Sequence, residues 1–466
     1  MIAIRLSLGM AMLALACPVA LAAEAPRPNI VFVLADDLGS YDVSWRGSEI
    51  KTPNLDRLAR SGATFEQFYV QPVCSPTRAA LMTGRYPCRY GLQVGVVRPW
   101  AQYGLSLEER TLPQALHEAG YQTAITGKWH LGHYRPEYLP TRRGFDHQYG
   151  HYNGAIDYFT HIRDGGFDWH RDDRENHDPG YSTELIGTEA ARLIRARDPK
   201  RPLFLYVPFN AVHAPHQVPE RYTEPYAQFE GKRRTYAGMV AAMDEAIGRI
   251  SAALDSEKLT SNTLFIFSSD NGGPQPGVVT DNGPLRDGKA TLYEGGVRVA
   301  AFATWPGKIE SGKKIEAAMH MVDWYPTLLK LAGVKLDQPV PLDGRDIWPA
   351  ITAGASSPHE EILLNATPAH GAIRVGDWKL VLNGQFNAAD GEDRPVKIGD
   401  KRAELFNLRD DPSEKNDLAS QHPAELKRLR DRYDAIASEA VPPLARGKTA
   451  GFKSPKVWGQ ADGAAP

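Results

Sequence analysis

The sequence predicts an α/β protein: a large mixed, mostly parallel sheet sandwiched by helices, followed by a smaller C-terminal α+β domain carrying a short antiparallel sheet. Three observations predict it. Short apolar runs rich in β-branched and aromatic residues alternate with helix-period segments, the pattern of a doubly wound sheet. Each of four such runs is followed at once by polar or charged residues. Past Ile351–Pro358 the texture changes to strand-turn-strand.

The elements follow in order. Arg5 precedes the apolar run Leu6 to Ala16, and Ala20-Leu21-Ala22 supplies small residues for cleavage. Residues 1–22 therefore read as a signal peptide, too short in its apolar part to span a membrane permanently. Ala14-Leu15-Ala16-Cys17 loosely resembles a lipidation site, but the apolar residues after Cys17 argue against it. The first strand run is Asn29 to Ala35, the second Gln122 to Thr126, the third Leu203 to Val207 and the fourth Thr263 to Ser268. Helical patterns at Asn54–Arg60, Leu112–Ala119 and Tyr236–Leu254 lie between them. The main domain is expected over residues 23–355. In the C-terminal domain, expected at 356–447, Ala372 to Leu382 reads as two strands around a Gly-Asp turn. Glu404–Leu408 reads as a third strand and Pro423–Ala437 as a charged-faced helix. Residues 448–466 read as a poorly ordered tail.

Ligands of open α/β sheets bind beyond the carboxyl ends of the strands. Asp36-Asp37, Lys128-Trp129-His130, Asn210 to His213 and Asp270-Asn271-Gly272-Gly273 each follow a strand run, so four segments converge on one edge. A net charge of -2 gives no footprint for nucleic acid. No stable membrane partner is expected. With the signal peptide removed, Cys74 and Cys88 remain. In an exported chain two cysteines are expected to form one disulfide, which is the plain alternative for Cys74.

Asp36, Asp37, Asp270 and Asn271 offer hard oxygen ligands without a matching Cys or His cluster, which favours Ca²⁺, then Mg²⁺, over zinc. Adjacent aspartates repel without a cation between them. The plainer alternative is a helix cap at Asp36-Asp37 and a turn at Asp270–Gly273. Arg78, Lys128, His130, His213 and Lys289 form a candidate cationic shell for an oxyanion. Lys289 ends Asn282–Lys289, a flexible stretch that can fold over a site. A thiol fits poorly here, because thiolate is a poor ligand for Ca²⁺ and a cysteine hydrolase needs a base rather than a metal.

Cys74-Ser75-Pro76-Thr77-Arg78, trailed by Thr83-Gly84-Arg85, resembles the signature of the type I sulfatases of the alkaline phosphatase superfamily. Leu34 to Gly39, Thr126 to Gly132 and Asp270-Asn271-Gly272 resemble further motifs of that family in the same order, and the similarity covers roughly Pro28 to Pro349. Gly127–Gly132, Leu139–Asp146 and Tyr293–Arg298 look like the arylsulfatase B branch, which acts on 4-sulfated N-acetylgalactosamine.

The resemblance implies an alkaline phosphatase/sulfatase-like fold and hydrolysis of sulfate monoesters, with a sulfated sugar as the expected substrate. It implies conversion of Cys74 to formylglycine by a formylglycine-generating enzyme. Ca²⁺ would bind Asp36, Asp37, Asp270, Asn271 and residue 74. Arg78 and Lys128 would hold the aldehyde hydrate, and Lys128 and Lys289 the sulfate. His213 or Lys289 would protonate the leaving alcohol, and His130 would accept the proton that restores the aldehyde. Periplasmic or secreted location follows from the leader. The polar, aromatic stretch Arg163–Asp178 reads as a substrate loop with Trp169 stacking on a sugar, or as an ordinary surface loop. Two alternatives remain: a phosphate or phosphonate ester hydrolase of the same superfamily, and a sulfoglycan-binding protein with unconverted cysteine.

Overall fold

The computed structural model describes residues 27–336, 338, 340–384, 402–448 and 450–460. The expected signal peptide, with Cys17, lies outside the described residues. A ten-stranded sheet runs in the order Lys313–Ile315, Ala63–Phe65, Ala301–Thr304, Thr263–Ser269, Asn29–Ala35, Leu203–Pro208, Gln122–Lys128, His147–His151, His170–Arg171 and Arg174–Glu175. The five strands from Thr263–Ser269 to His147–His151 are mutually parallel, with Ile30 opposite both Phe204 and Leu264. Antiparallel partners flank them on both sides.

The central strands are apolar throughout because both faces are covered. Successive side chains alternate between faces. Ile30, Phe32 and Leu34 enter one core with the helices Cys74–Thr83, Leu112–Glu118 and Trp324–Leu331. Val31, Val33 and Ala35 enter the other with Pro53–Arg60, Ser182–Ala196 and Gly231–Ser256.

The C-terminal sheet is antiparallel: Glu361–Ala366, Gly371–Val375, Trp378–Leu382 and Ala403–Asn407. Helix Pro423–Ala437 buries Leu429 and Tyr433 against it. Lys379 ties this sheet to the main one. Its buried ammonium lies 2.9 Å from Glu294 and 2.8 Å from Glu414. Tyr69 donates to Glu294 at 2.8 Å and accepts from Arg374 at 2.6 Å.

Two expectations need correction. The stretch Arg163–Asp178 is not one loop but two small hairpins, and the second extends the main sheet. The segment after Lys448 is not loose over its described part. Trp458 is buried, donates its backbone N–H to Phe167 O at 2.9 Å, and donates its indole N–H to Arg163 O at 2.9 Å. Aromatic burial with both polar handles satisfied holds this segment in place.

His320 shows what the buried polar groups cost. It is fully buried, accepts the Val322 N–H on Nδ1 at 3.2 Å, and burial, with His359 adding, pushes it down to about 3. A histidine depressed on folding leaves the unfolded chain binding more protons below its ordinary value, so stability falls as pH falls below about 6.5. The expected loss from this group is about 2 kcal/mol between pH 7 and pH 5. His320→Asn should show a shallower fall in chemical-denaturation midpoint over that range; an identical slope would remove His320 from the account.

Candidate active site

The site forms where parallel strands end together. Backbone bonds lace those ends beyond the ladder: Asp36 N–H to Ala211 O at 3.0 Å, Val212 N–H to Asp36 O at 2.7 Å, and Asp270 N–H to Ala35 O at 3.0 Å. Asp37 turns in the left-handed region, φ 63, a conformation short polar residues tolerate. Gly127 lets the neighbouring strand end approach, since a Cβ there would sit 1.9 Å from Pro208 O. Asp36, Lys128 and Asp270 are thereby buried at one edge.

Cys74 opens a helix buried along its whole length and delivers its sulfur to this edge. Sγ lies 3.5 Å from Asp36 Oδ1 and 3.6 Å from Lys289 Nζ. Arg78, one turn on, donates to Asp270 at 2.8 and 3.1 Å, to Asp36 at 3.2 Å and to Lys128 O at 2.9 Å. Lys128 Nζ is bonded to Asp36. Lys289 Nζ lies 2.7 Å from Asp37 Oδ1. Asn271 donates to Asp37 at 2.8 Å. His213 Nε2 sits 3.6 Å from Asp37 Oδ2.

Two hydrogen bonds fix histidine tautomers, because a carbonyl only accepts. His130 donates from Nε2 to Val97 O at 3.1 Å, leaving Nδ1 buried and unpartnered. His213 donates from Nδ1 to Ala214 O at 2.6 Å, leaving Nε2 toward the carboxylates. Gly154 backs the His130 ring so closely that a Cβ would lie 2.4 Å from Nε2.

Charge and burial set the protonation states. Burial pushes the Cys74 thiol far up, and Asp270 and Asp36 add to it. Burial raises Asp37, but Lys289 and His213 more than reverse this and hold it well below the usual carboxylate range. Asp270 is raised by burial and by Asp36, against Arg78. Burial, then Lys128 and Arg78, keep His130 neutral. Burial and Lys289 push His213 down to about 3.

The donor set fits a divalent cation. Ligand atoms of Asp36, Asp37, Cys74 and His213 lie within 4.8 Å of one another. Buried Asn271 Oδ1 has no hydrogen-bond partner. Carboxylate and amide oxygens are the ligands of Ca²⁺ and Mg²⁺.

Every predicted residue except one meets at this edge. Trp169 is fully buried; its ring stacks on His161 at 4.4 Å and on His151 at 6.2 Å, with Tyr149 edge-on at 5.2 Å. Neighbours cover its ring, which rules out stacking on a sugar. Cys74 and Cys88 are both unpaired. Cys88 packs in a different core beside Tyr86, so the disulfide alternative is not realised. The Lys289 loop is pinned rather than a flap. Asn282 accepts from Ser40 N–H at 3.2 Å and Gly273 N–H at 3.0 Å, and donates to Gly273 O and Asp287 O at 2.9 Å. The Asn282-Gly283 dipeptide was a readable turn signal for it. Ser75 was missed without any such signal; it donates to His130 O at 2.9 Å and accepts from Val97 N–H at 3.0 Å.

Fold and site together define an ester hydrolase of the alkaline phosphatase/sulfatase architecture. The family model described as Sulfatase matches residues 28–334. Arylsulfatase J of Mus musculus is 39% identical over 469 residues, 91% of this chain and 78% of its own. N-acetylgalactosamine-6-sulfatase of Mus musculus is 35% identical over 363 residues, 72% of this chain and 68% of its own. The solved structure of Ps i-CgsB in complex with k-i-k-neocarrahexaose has a TM-score of 0.82 at 32% identity, covering 91% of this chain and 96% of that one. The chain belongs to the Sulfatase family and is a sulfuric ester hydrolase. The names of these relatives point to other members than the arylsulfatase B-like branch expected from Gly127–Gly132 and Tyr293–Arg298. Among the described residues no helix is long and apolar enough to cross a membrane.

Proposed function

We propose that the protein releases sulfate from a sulfated sugar, with residue 74 matured to formylglycine. Ca²⁺ would be held by Asp36, Asp37, Asp270, Asn271 and residue 74. One observation carries the reading: the buried Cys74 sulfur sits between a carboxylate and an ammonium, with its thiol pushed far up. A protonated thiol there is neither nucleophile nor good ligand. An aldehyde hydrate in its place supplies both an oxygen nucleophile and an oxygen donor. A bound Ca²⁺ would neutralise the crowded carboxylates and polarise a sulfate oxygen.

The chain's own residues then have distinct tasks. Lys128 and Lys289, already aligned on Asp36 and Asp37, bind sulfate oxygens as negative charge moves onto them. Arg78 orients Asp36 and Asp270 and holds the hydrate. Lys289 Nζ, flanking Asp37, supplies the proton to the leaving alcohol; His213, neutral with its one ring proton given to Ala214 O, has none on Nε2 to donate. His130, with its proton committed to Val97 O, offers the Nδ1 lone pair to the second hydroxyl of residue 74 as sulfate departs. The first sugar to try is 4-sulfated N-acetylgalactosamine. Export to the periplasm or medium, with cleavage near residue 22, belongs to the same reading.

The test is a comparison of rates on phenyl sulfate and phenyl phosphate, using protein co-expressed with a formylglycine-generating enzyme. Faster sulfate release is the expected result. Faster phosphate release would move the protein to the phosphate or phosphonate ester hydrolases, and glycan binding without either would make it a binding protein. Calcium is tested apart from turnover. At 100-fold excess over Kd, Ca²⁺ should stabilise the fold by about 2.7 kcal/mol. EDTA should lower Tm, and Asp37→Asn should abolish most of the difference; a Tm indifferent to both would reject the cation.

A further inference from the structure

The C-terminal segment builds a wall beside the site, and its chemistry differs from that of the whole chain. From Arg446 to Gln460 it carries four cations, Arg446, Lys448, Lys453 and Lys456, and no carboxylate, in a chain of net charge -2. Backbone and side-chain bonds fix both ends. On one side Val441 N–H donates to Cys88 O at 2.9 Å and Leu444 N–H to Gly91 O at 2.8 Å. On the other, Phe167 N–H donates to Lys456 O at 2.8 Å. The Trp458 ring meets His133 edge-on at 5.2 Å. Gly459 lies against Tyr152, where a Cβ would sit 2.5 Å from the ring, and Tyr152 O accepts the His130 N–H at 3.0 Å.

The wall faces residues that touch the reacting centre. Val96 packs on Val73 and Ala290, the chain neighbours of Cys74 and Lys289. Val97 bonds to both Ser75 and His130. Three residues further, Trp100 donates its indole N–H to Arg446 O at 3.4 Å. Lys448 Nζ lies 5.8 Å from the ring centres of both Trp100 and Phe452, and the Arg98 guanidinium lies 6.0 Å from Trp100. Lys448 is exposed, and Trp100, Phe452 and Arg98 are half-buried. Two rings therefore hold an accessible ammonium in place, which lowers the ordering cost of using it.

We propose that Arg98, Trp100, Lys448 and Phe452 form an outer subsite for a second anionic group, sulfate or carboxylate, on a sugar other than the one being desulfated. The preferred substrate is then a multiply charged oligosaccharide rather than a monosaccharide sulfate. This rests on the sulfated-sugar reading above and narrows it. The rings position the ammonium, and the cations meet the charge of the second anionic group.

The experiment uses a chondroitin sulfate hexasaccharide and 4-nitrophenyl sulfate as probes. Calorimetry on the Cys74→Ala protein measures hexasaccharide binding without turnover. Lys448→Glu should weaken Kd by about tenfold or more, and added NaCl should weaken the parent more than the variant. In formylglycine-bearing protein, the ratio of kcat/KM on hexasaccharide to that on 4-nitrophenyl sulfate should fall by a similar factor. Lys448→Gln should give an intermediate loss. Equal Kd values, or an unchanged ratio, would overturn the subsite. Hydrolysis of 4-nitrophenyl sulfate with no Lys448-dependent binding would sink the subsite and leave the sulfatase chemistry standing. Lys448-dependent binding with no sulfate release from either probe would do the reverse.

Discussion

Cys74→Ala is expected to lose sulfate release by on the order of 10⁵- to 10⁶-fold, the scale seen when a catalytic nucleophile is removed. The substitution should leave the fold nearly intact. The side chain is small, and its polar neighbours Asp36 and Lys289 keep stronger partners of their own in Arg78, Lys128 and Asp37. Cys74→Ser is the sharper companion. It restores an oxygen of similar reach but not an aldehyde, so it separates a need for any nucleophile from a need for the matured group. Both variants should match the parent in thermal melting. A peptide mass spectrum spanning residue 74 of the co-expressed parent should show the aldehyde or its hydrate. Substantial activity in Cys74→Ala, or an intact thiol in fully active parent, would overturn the assignment.

The central strands were legible because they are buried on both faces. A strand such as Asn29–Ala35 shows an uninterrupted apolar run, and its end is marked where Asp36 must leave the core. The site was legible for a related reason. Strand order placed Thr263–Ser269, Asn29–Ala35, Leu203–Pro208 and Gln122–Lys128 side by side and parallel, so residues following each run had to meet. The strands that escaped notice are the short ones and the peripheral ones. Ala301–Thr304 and Lys313–Ile315 carry too few residues for a period, and pairing with Ala63–Phe65 decides them. Glu361–Ala366 bends at an irregular register between Leu363 and Asn365, which blurs its alternation.

Trp169 and the C-terminal segment misled for opposite reasons. Trp169 sits among Asp, Arg and His in sequence, and composition alone makes such a stretch look exposed. Pairing with His147–His151 turns its hairpin into a sheet edge, and the neighbouring histidines pack on the indole instead of facing water. The segment after Lys448 looks featureless because its order comes from Phe167, Arg163 and His133, distant partners that no local pattern announces.

Arg78→Met is expected to destabilise the fold by about 3–5 kcal/mol, the cost of removing one partner from a buried charge cluster. Arg78, Asp36 and Asp270 all have fully buried side chains. Without the guanidinium, Lys128 still faces Asp36, but Asp270 loses its two shortest charged contacts and Lys128 O loses a donor. Asp270 is already raised by burial and Asp36, so in the variant it should stay protonated to higher pH. Met fills the volume without charge, which isolates electrostatics from cavity effects. Arg78→Lys should recover only part of the loss, because one ammonium cannot reproduce a fork that reaches Asp36, Asp270 and a carbonyl at once. Saturating Ca²⁺ should narrow the gap between parent and Arg78→Met, since a cation among the same carboxylates substitutes for part of the missing charge. The readout is Tm with Ca²⁺ and with EDTA for all three proteins. A variant as stable as the parent in EDTA would mean that protonation of Asp270 alone settles the cluster, and that Arg78 serves catalysis rather than folding.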